Sequence, residues 1–231
     1  MRAMILAAGK GERMRPLTLT TPKPLLEVGG KPLISYHLER LASVGVQDVV
    51  INHAWLGEQI ETRLGSGQHF GLRLHYSREG EPLETAGGIR RALSLLTADG
   101  DERFLVINGD IWCDFDLQAL LQPAVADELA LLVLADNPPH HPAGDFWLSS
   151  TGQVHEAPRT PQDQKLTFTG ISRLHRSLFD RLPEAAERLA RVLIPAMATG
   201  QVWGQHHRGS WQDIGTPERL TALDQALRAT L

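Results

Sequence analysis

Residues 3–18 read Ala3-Met4-Ile5-Leu6-Ala7-Ala8-Gly9-Lys10-Gly11-Glu12-Arg13-Met14-Arg15-Pro16-Leu17-Thr18, and Pro22-Lys23-Pro24-Leu25 follows closely. The apolar run Ala3 to Ala8 predicts a buried strand, and the small residues at its end predict a tight turn. Small residues there let backbone N–H groups approach phosphate oxygens, while the basic side chains add charge against a polyphosphate. The stretch is not a P-loop, because Gly30-Lys31 is followed by Pro32 and lacks the upstream glycine spacing. Nor is it Gly-x-Gly-x-x-Gly, because position 14 is Met, which disfavours a dehydrogenase. A lone Gly-x-Gly is also compatible with an ordinary strand-to-helix turn carrying surface cations. The Pro-flanked Lys23 together with Arg13 favours a phosphate cradle.

Outward from this stretch, short apolar runs alternate with amphipathic segments, as in βαβ units wound on a parallel sheet. Pro32 to Val44 predicts a helix with Leu33, Tyr36, His37, Leu38 and Leu41 near one face, and Asp48 to Asn52 a second strand. Trp55 to Leu64 reads as a short helix, Leu72 to Ser77 as a half-buried strand, Thr85 to Leu96 as a helix, and Arg103 to Asn108 as a strand ending in Gly109-Asp110. A carboxylate at the C-terminal end of a central strand sits where open α/β sheets hold ligands. Pro138, Pro139, Pro142 and Gly144 then break the chain. Further strands are expected at Phe146 to Ser149, Val154 to Glu156, Leu166 to Leu174 and Gln201 to His206, and a helix at Arg188 to Met197. Thr216-Pro217-Glu218 suits the start of a last helix, with Thr216 as N-cap and Leu220, Leu223 and Leu227 on one face.

The 231 residues are 42% hydrophobic and 22% charged, enough apolar sequence for a full core and consistent with one α/β domain. Lys plus Arg number 23 against 27 Asp plus Glu, so the net charge of -4 offers no basic field for a nucleic acid. Cys113 is the single cysteine, which excludes an intrachain disulfide and any zinc site built from several cysteines, and suits a reducing cytoplasm. The N-terminal apolar run is too short, and too soon followed by charge, for a signal peptide. The longest apolar stretch, Leu129 to Ala135, falls far below a membrane span. No membrane partner is expected.

The opening stretch resembles the signature of the sugar-1-phosphate nucleotidyltransferases, Leu-Ala-Ala-Gly-x-Gly-x-Arg-[Leu/Met]-x-Pro-Leu-Thr followed by Pro-Lys-Pro-Leu. The resemblance continues in order through 79–88, Val106-Ile107-Asn108-Gly109-Asp110, Val154-His155-Glu156, Thr169-Gly170-Ile171 and 211–218. It implies a Rossmann-like mixed, mostly parallel sheet with helices on both faces. The first 135 residues would mainly bind the nucleotide and 136–231 mainly the sugar. It also implies NTP and sugar 1-phosphate as small-molecule partners, with release of pyrophosphate.

By the same resemblance Asp110 and Asp213 meet in space and hold Mg2+. Asp114 and Asp116 are expected to be exposed loop or helix-start residues. Arg13 would meet the β- and γ-phosphates and Lys23 the phosphates at the reacting centre, making Arg13, Lys23 and Asp110 the catalytic set. Ala8, Gly9, Gly11 and Glu12 would line the nucleotide, with Glu79, Glu84 and Thr85 in the segment that reads the base. Glu79 stands where many uridylyl- and thymidylyltransferases carry Gln. Asn108, Gly144, Glu156 and Thr169 would contact the sugar. One departure is Glu156-Ala157-Pro158 where many members have Glu-Lys-Pro, so the usual sugar-phosphate lysine is missing; either Arg159 or Lys165 replaces it, or the pocket is adapted to a different sugar, and the segment Glu156 to Lys165 is expected to be a loop that closes over the sugar. The pairs His140-His141 and His206-His207 read as solvated loop or strand-edge residues rather than metal ligands. Among members of the family the chain most resembles, by its Gly-Glu-Arg-Met-Arg-Pro-Leu-Thr start and compact length, those that transfer a uridylyl group to N-acetylmuramate 1-phosphate in cell-wall recycling, and the resemblance implies that reaction here. Guanylyl transfer to mannose 1-phosphate, nucleotidyl transfer to another hexose 1-phosphate, and a catalytically silent regulatory subunit that binds a nucleotide sugar are the alternatives.

Overall fold

The computed structural model describes residues 1–182 and 187–229. Strand β1 (Arg2–Leu6) leads through short 3-10 turns at Glu12–Met14, Leu17–Leu19 and Lys23–Leu25 to the small hairpin β2 (Glu27–Val28) and β3 (Lys31–Pro32). Helix α1 (Leu33–Ser43), β4 (Asp48–His53), α2 (Gly57–Leu64), β5 (Arg73–Arg78), α3 (Glu84–Leu96) and β6 (Arg103–Asn108) follow. The rest comprises β7 (Ile111–Cys113), β8 (Ala130–Ala135), β9 (Phe146–Leu148), β10 (Val154–His155), β11 (Gln164–His175), α4 (Ala190–Ala198), β12 (Val202–His207), β13 (Trp211–Asp213) and α5 (Pro217–Arg228).

One nine-stranded mixed sheet runs β5-β4-β1-β6-β11, with β8 and then β12 beyond the C-terminal half of β11, and β9 and β10 beside its start. The β5, β4, β1 and β6 pairs are parallel, as is β8 with β12, whereas β11 runs antiparallel to both its long neighbours. Period-two alternation assigns each strand residue to one of two cores. Ala3, Ile5, Val49, Ile51, Leu105 and Ile107 pack with α1 and α2. Met4, Val50, Phe104 and Val106 pack on the other face with α3 and α4. The longest apolar stretch of the sequence is β8, buried along its whole length. Among the described residues no helix is long and apolar enough to cross a membrane.

Connections leave β1 toward β4 on one side, while β6 lies on the other, so a topological switch point opens between the carboxyl ends of β1 and β6. There the Gly109 N–H donates to the Leu6 carbonyl at 2.8 Å, and a Cβ at Gly109 would lie only 2.7 Å from that oxygen. The close approach therefore needs glycine. A third apolar cluster joins Met14, Leu26, Val28 and Leu33 to Ile214 and Leu223, tying α5 to the signature loop. Thr216 caps α5 by accepting from the Arg219 N–H, with Pro217 as the first helical residue.

Far from this opening, Arg173 on β11 is 3% exposed and Glu128 4%; the guanidinium donates to Glu128 Oε1 at 2.7 and 2.9 Å and to the carbonyls of Leu120 and Gln122. Glu128→Ala leaves a buried cation unpaired and is expected to lower unfolding free energy by about 3–5 kcal/mol. Urea melts of the two proteins check this, and a loss below about 1 kcal/mol would contradict it.

Candidate active site

At the switch point a cleft of about 680 Å³ is lined by Ala8, Gly9, Gly11, Glu12, Arg13, Lys23, Glu79, Glu84, Thr85, Asn108 and Asp110, all singled out in the sequence. The turn after β1 owes its shape to Gly11, whose φ of 62° is left-handed and whose carbonyl accepts from Thr18 Oγ1 at 2.7 Å. A Cβ there would meet Thr18 Cγ2 at 2.8 Å. Arg13 stands on the following 3-10 turn, anchored by Met14, which is buried in the third cluster.

The opposite wall is the segment between β5 and α3. Glu79 is buried, its Oε1 accepting from Asn52 Nδ2 at 2.7 Å and its Oε2 from the Leu83 N–H at 2.9 Å. Asn52 Oδ1 in turn accepts from the Ala7 N–H at 2.9 Å. Asn52 thus spans the two walls, a role nothing in the sequence pattern signalled because an Asn at a strand end is an ordinary residue. Gly88 makes room for the pair: a Cβ at that position would lie 2.5 Å from Glu79 Oε1. Glu84, the first residue of α3, sits at φ 57° without being glycine, a conformation that costs of order 1–3 kcal/mol and tends to occur at functional sites.

The backbones of Asp110 and Asp213 are brought side by side by a two-stranded antiparallel sheet, β7 with β13, in which Ile111 faces Asp213 and the Ile214 N–H donates to the Asp110 carbonyl at 2.8 Å; Asp110 and Gly215 line the cleft, whereas Asp213 is not among the lining residues. The carboxylates are already surrounded by cations. Lys23 Nζ, with a side chain only 10% exposed, lies 2.8 Å from Asp110 Oδ2. Arg219 Nη1 lies 2.5 Å and His140 Nε2 2.8 Å from Asp213 Oδ1. A methyl group built on Gly215 would meet Asp213 Oδ2 and Arg219 Nη1 at 3.0 Å and Arg13 Nη1 at 3.4 Å, so Arg13, Asp213 and Arg219 converge there. Hard oxygen donors among balancing cations suit a divalent ion such as Mg2+.

The expected sugar residues are placed less uniformly. Asn108 lines the cleft, whereas Gly144, Glu156 and Thr169 do not. Thr169 is buried and its hydroxyl donates to the Val133 carbonyl at 2.8 Å, inside the irregular stretch of β11 around Gly170. Gly144 shapes its loop at φ 59°, against Asn137, and Glu156 is exposed just after β10. The loop beyond it closes on itself: Asp163 accepts from the Arg159 N–H at 2.7 Å and the Thr160 N–H at 3.1 Å. Lys165 Nζ lies 5.5 Å from the Trp147 ring centroid.

His140 and His141 are loop residues with side chains 38% and 41% exposed, as expected, and His206 and His207 lie on β12, whose one strand partner among the described residues is β8, but are less solvated than a sheet edge suggests. His140 reaches Asp213, and His206 and His207 have side chains only 11% and 10% exposed, paired with Asp136 and Asp114 at 2.9 Å. Neighbouring strand residues do point oppositely, but β8 and the β7 end supply a carboxylate on each side. Asp116 does cap a 3-10 turn, accepting from the Gln118 N–H.

Beneath the acidic pair, His37 of α1 is 1% exposed, and neither ring nitrogen makes a hydrogen bond of normal geometry among the described residues. Burial, helped by the Arg40 guanidinium, pulls its pKa from 6.5 down to about 4. The unfolded chain therefore binds more protons than the folded chain between those values. Stability contributed by the neutral ring is complete above pH about 6.5 and falls by about 3 kcal/mol toward pH 4. His37→Leu is expected to flatten urea midpoints across that window; a slope equal to the parent's would contradict it.

Comparison with known proteins agrees with this geometry. An N-acetylmuramate alpha-1-phosphate uridylyltransferase of Neisseria meningitidis serogroup B (strain ATCC BAA-335 / MC58) is 49% identical over 225 residues, covering 95% of each chain. The beta catalytic subunit of mannose-1-phosphate guanylyltransferase from Danio rerio is 32% identical over 94% of this chain, which spans 62% of that protein. Among solved structures, one from Bacillus anthracis assigned as a glucose-1-phosphate thymidylyltransferase, in complex with a sucrose, superposes with a TM-score of 0.83 at 23% identity over 99% of this chain and 96% of that one. HddC from Yersinia pseudotuberculosis complexed with GMP-PN gives 0.80 at 22% identity over 97% and 98%. The profile described as Nucleotidyl transferase matches residues 2–230, and the chain belongs to that family.

Proposed function

We propose that the protein joins UTP to N-acetylmuramate 1-phosphate, giving UDP-N-acetylmuramate and pyrophosphate, in the recycling of cell-wall sugar. The observation that carries this reading is the 49% identity across 95% of both chains with the Neisseria uridylyltransferase. Glu79 is compatible with it, since its carboxyl oxygens accept hydrogen bonds, as they do from Asn52 and Leu83, and uracil presents an N–H donor at N3. Guanine also presents donors, so the base is chosen by the whole wall, including the Asn52 bridge and the strained turn at Glu84.

In this reading a sugar-phosphate oxygen attacks the α-phosphorus of the NTP in line, and the bond to the bridging oxygen of the β-phosphate breaks. No covalent enzyme intermediate is needed, because the attacking group is already an anion. Asp110 and Asp213 would hold Mg2+, which offsets the negative charge crowded at the phosphates. Arg13 presents a planar fork to the departing pyrophosphate, and Lys23, held against Asp110, faces the reacting phosphates. Gly9 and Gly11 leave the backbone accessible to the nucleotide. The first half of the chain supplies nearly all of the cleft lining, while the sugar would be received toward the 136–231 half, where the Asn108 side chain lies against Gly170 of β11.

The lactyl carboxylate of N-acetylmuramate requires space and a cation that neutral sugars do not. Ala157 gives space, and Arg159 or Lys165 gives charge. A panel pairing each NTP with sugar 1-phosphates is expected to give the highest kcat/KM for UTP with N-acetylmuramate 1-phosphate. Neutralising the responsible cation should cut the preference over N-acetylglucosamine 1-phosphate by about tenfold, the size of one exposed charge-assisted contact. A clear preference for GTP with mannose 1-phosphate would overturn the substrate assignment. A silent regulatory subunit is disfavoured by Arg13, Lys23 and Asp110 lining one cleft, with Asp213 near Arg13 beside Gly215.

A further inference from the structure

A second group of metal-ligating side chains lies outside the acidic pair. Sγ of Cys113, a carboxylate oxygen of Asp114 and a ring nitrogen of His207 all lie within 4.8 Å of one another. Cys113 ends β7 and His207 ends β12, two strands that belong to different sheets. They meet because the Asp114 N–H donates to the Ser210 carbonyl at 3.1 Å, folding the 208–210 turn back over β7. Gly209 lies over the pair so closely that a Cβ would come within 2.6 Å of both Asp114 Oδ1 and His207 Cε1. The Phe115 ring meets His207 edge-on at 5.6 Å and fixes the imidazole plane.

We propose that Cys113, Asp114 and His207 form a site for a transition-metal ion of the Zn2+ class, separate from the acidic pair that suits Mg2+. A thiolate, an imidazole and one carboxylate are a donor set for a borderline-soft ion, not for Mg2+. Bonds of about 2.3 Å to sulfur and about 2.0–2.2 Å to nitrogen and oxygen put tetrahedral donors roughly 3.3–3.7 Å apart. His207 Nε2 and Asp114 Oδ1, now at 2.9 Å, need open only slightly, and the sulfur needs to close by about 1 Å at most. Asp114 is 48% exposed, so water can enter and take the fourth position. Burial pushes the Cys113 thiol up to about 11, so the free site holds an S–H group. On binding, that S–H bond breaks, an S–metal bond forms, and the proton passes to water with no change of redox state.

The location gives the ion a consequence. Cys113 pairs with Trp211 at one end of the β7–β13 ladder, and Ile111 with Asp213 at the other. An ion joining β7 to β12 fastens the ribbon that presents Asp110 and Asp213.

Cobalt(II) titration of the metal-free full chain, with Zn2+ competition and thermal melts, tests the proposal. The expected result is a near-ultraviolet thiolate-to-cobalt charge-transfer band, displaced by Zn2+, and a Zn2+-dependent rise in Tm. Cys113→Ser should remove the band, and His207→Gln and the more exposed Asp114→Asn should each weaken Zn2+ binding at least tenfold. Asp110→Asn should leave the band in place. Melts and far-ultraviolet dichroism without metal establish that each variant is folded; Asp114→Asn keeps the test open if a buried variant fails to fold. No thiolate band in the parent, or Zn2+ affinity lost in Asp110→Asn but kept in Asp114→Asn, would overturn it and place the ion on the acidic pair instead.

Discussion

Asp110→Asn and Asp213→Asn are each expected to lower kcat about 10³-fold, equivalent to about 4 kcal/mol of barrier, while the NTP still binds. Each substitution removes one of the two carboxylates proposed to hold the ion, which stand beside the two ends of the β7–β13 ladder. The two variants should differ in stability. Asp110→Asn strips the partner from Lys23, whose side chain is 10% exposed, whereas Asp213→Asn leaves Arg219 and His140 at more open positions. Chelation with EDTA should abolish turnover in the parent, and added Mg2+ should restore it. Undiminished activity in EDTA, or parent-like turnover in both variants, would show that the acidic pair does not serve an ion.

Arg13→Ala is expected to cost kcat about 10²–10³-fold with a much smaller change in the KM for NTP, because its charge should favour the departing pyrophosphate over the intact triphosphate. Arg13→Lys should recover only part of the loss, since an ammonium lacks the planar two-pronged donor set. The substitution should leave the fold intact: the turn is held by Met14 in the third cluster and by the Thr18 bond to Gly11. Steady-state kinetics with saturating sugar 1-phosphate separates the two parameters. Unchanged kcat with a raised KM for NTP would mean that Arg13 only binds.

The parallel core was legible because its signals are local. Strands such as Arg103–Asn108 are continuous apolar runs, and helices such as Leu33–Ser43 carry a one-sided apolar pattern, so period and length assign them without knowledge of their neighbours. The switch-point cleft followed from the same reading, since the small residues after β1 and the carboxylate after β6 each mark a strand's carboxyl end. Element ends moved by no more than two residues, as with Ala3 to Ala8, which forms a strand only over Arg2–Leu6 because the small residues beyond it turn into the cleft.

What tertiary structure decided is everything that depends on pairing across long separations. Ile111–Cys113 and Trp211–Asp213 are three residues each, too short to show a period, and become strands only by pairing with each other. That pairing is what positions the second carboxylate. The same holds for Asn52, His140, Arg219 and His207, ordinary polar residues whose roles arise from partners 27 to 93 positions away, or, for Arg219, one helical turn past a strand end. Sequence alone determined where backbone and charge would be offered to a polyphosphate, because strand ends and glycine turns are encoded by neighbours. Which side chains close the site was left to the fold, because a hydrogen bond or ion pair depends on distances of about 3 Å that no local pattern contains.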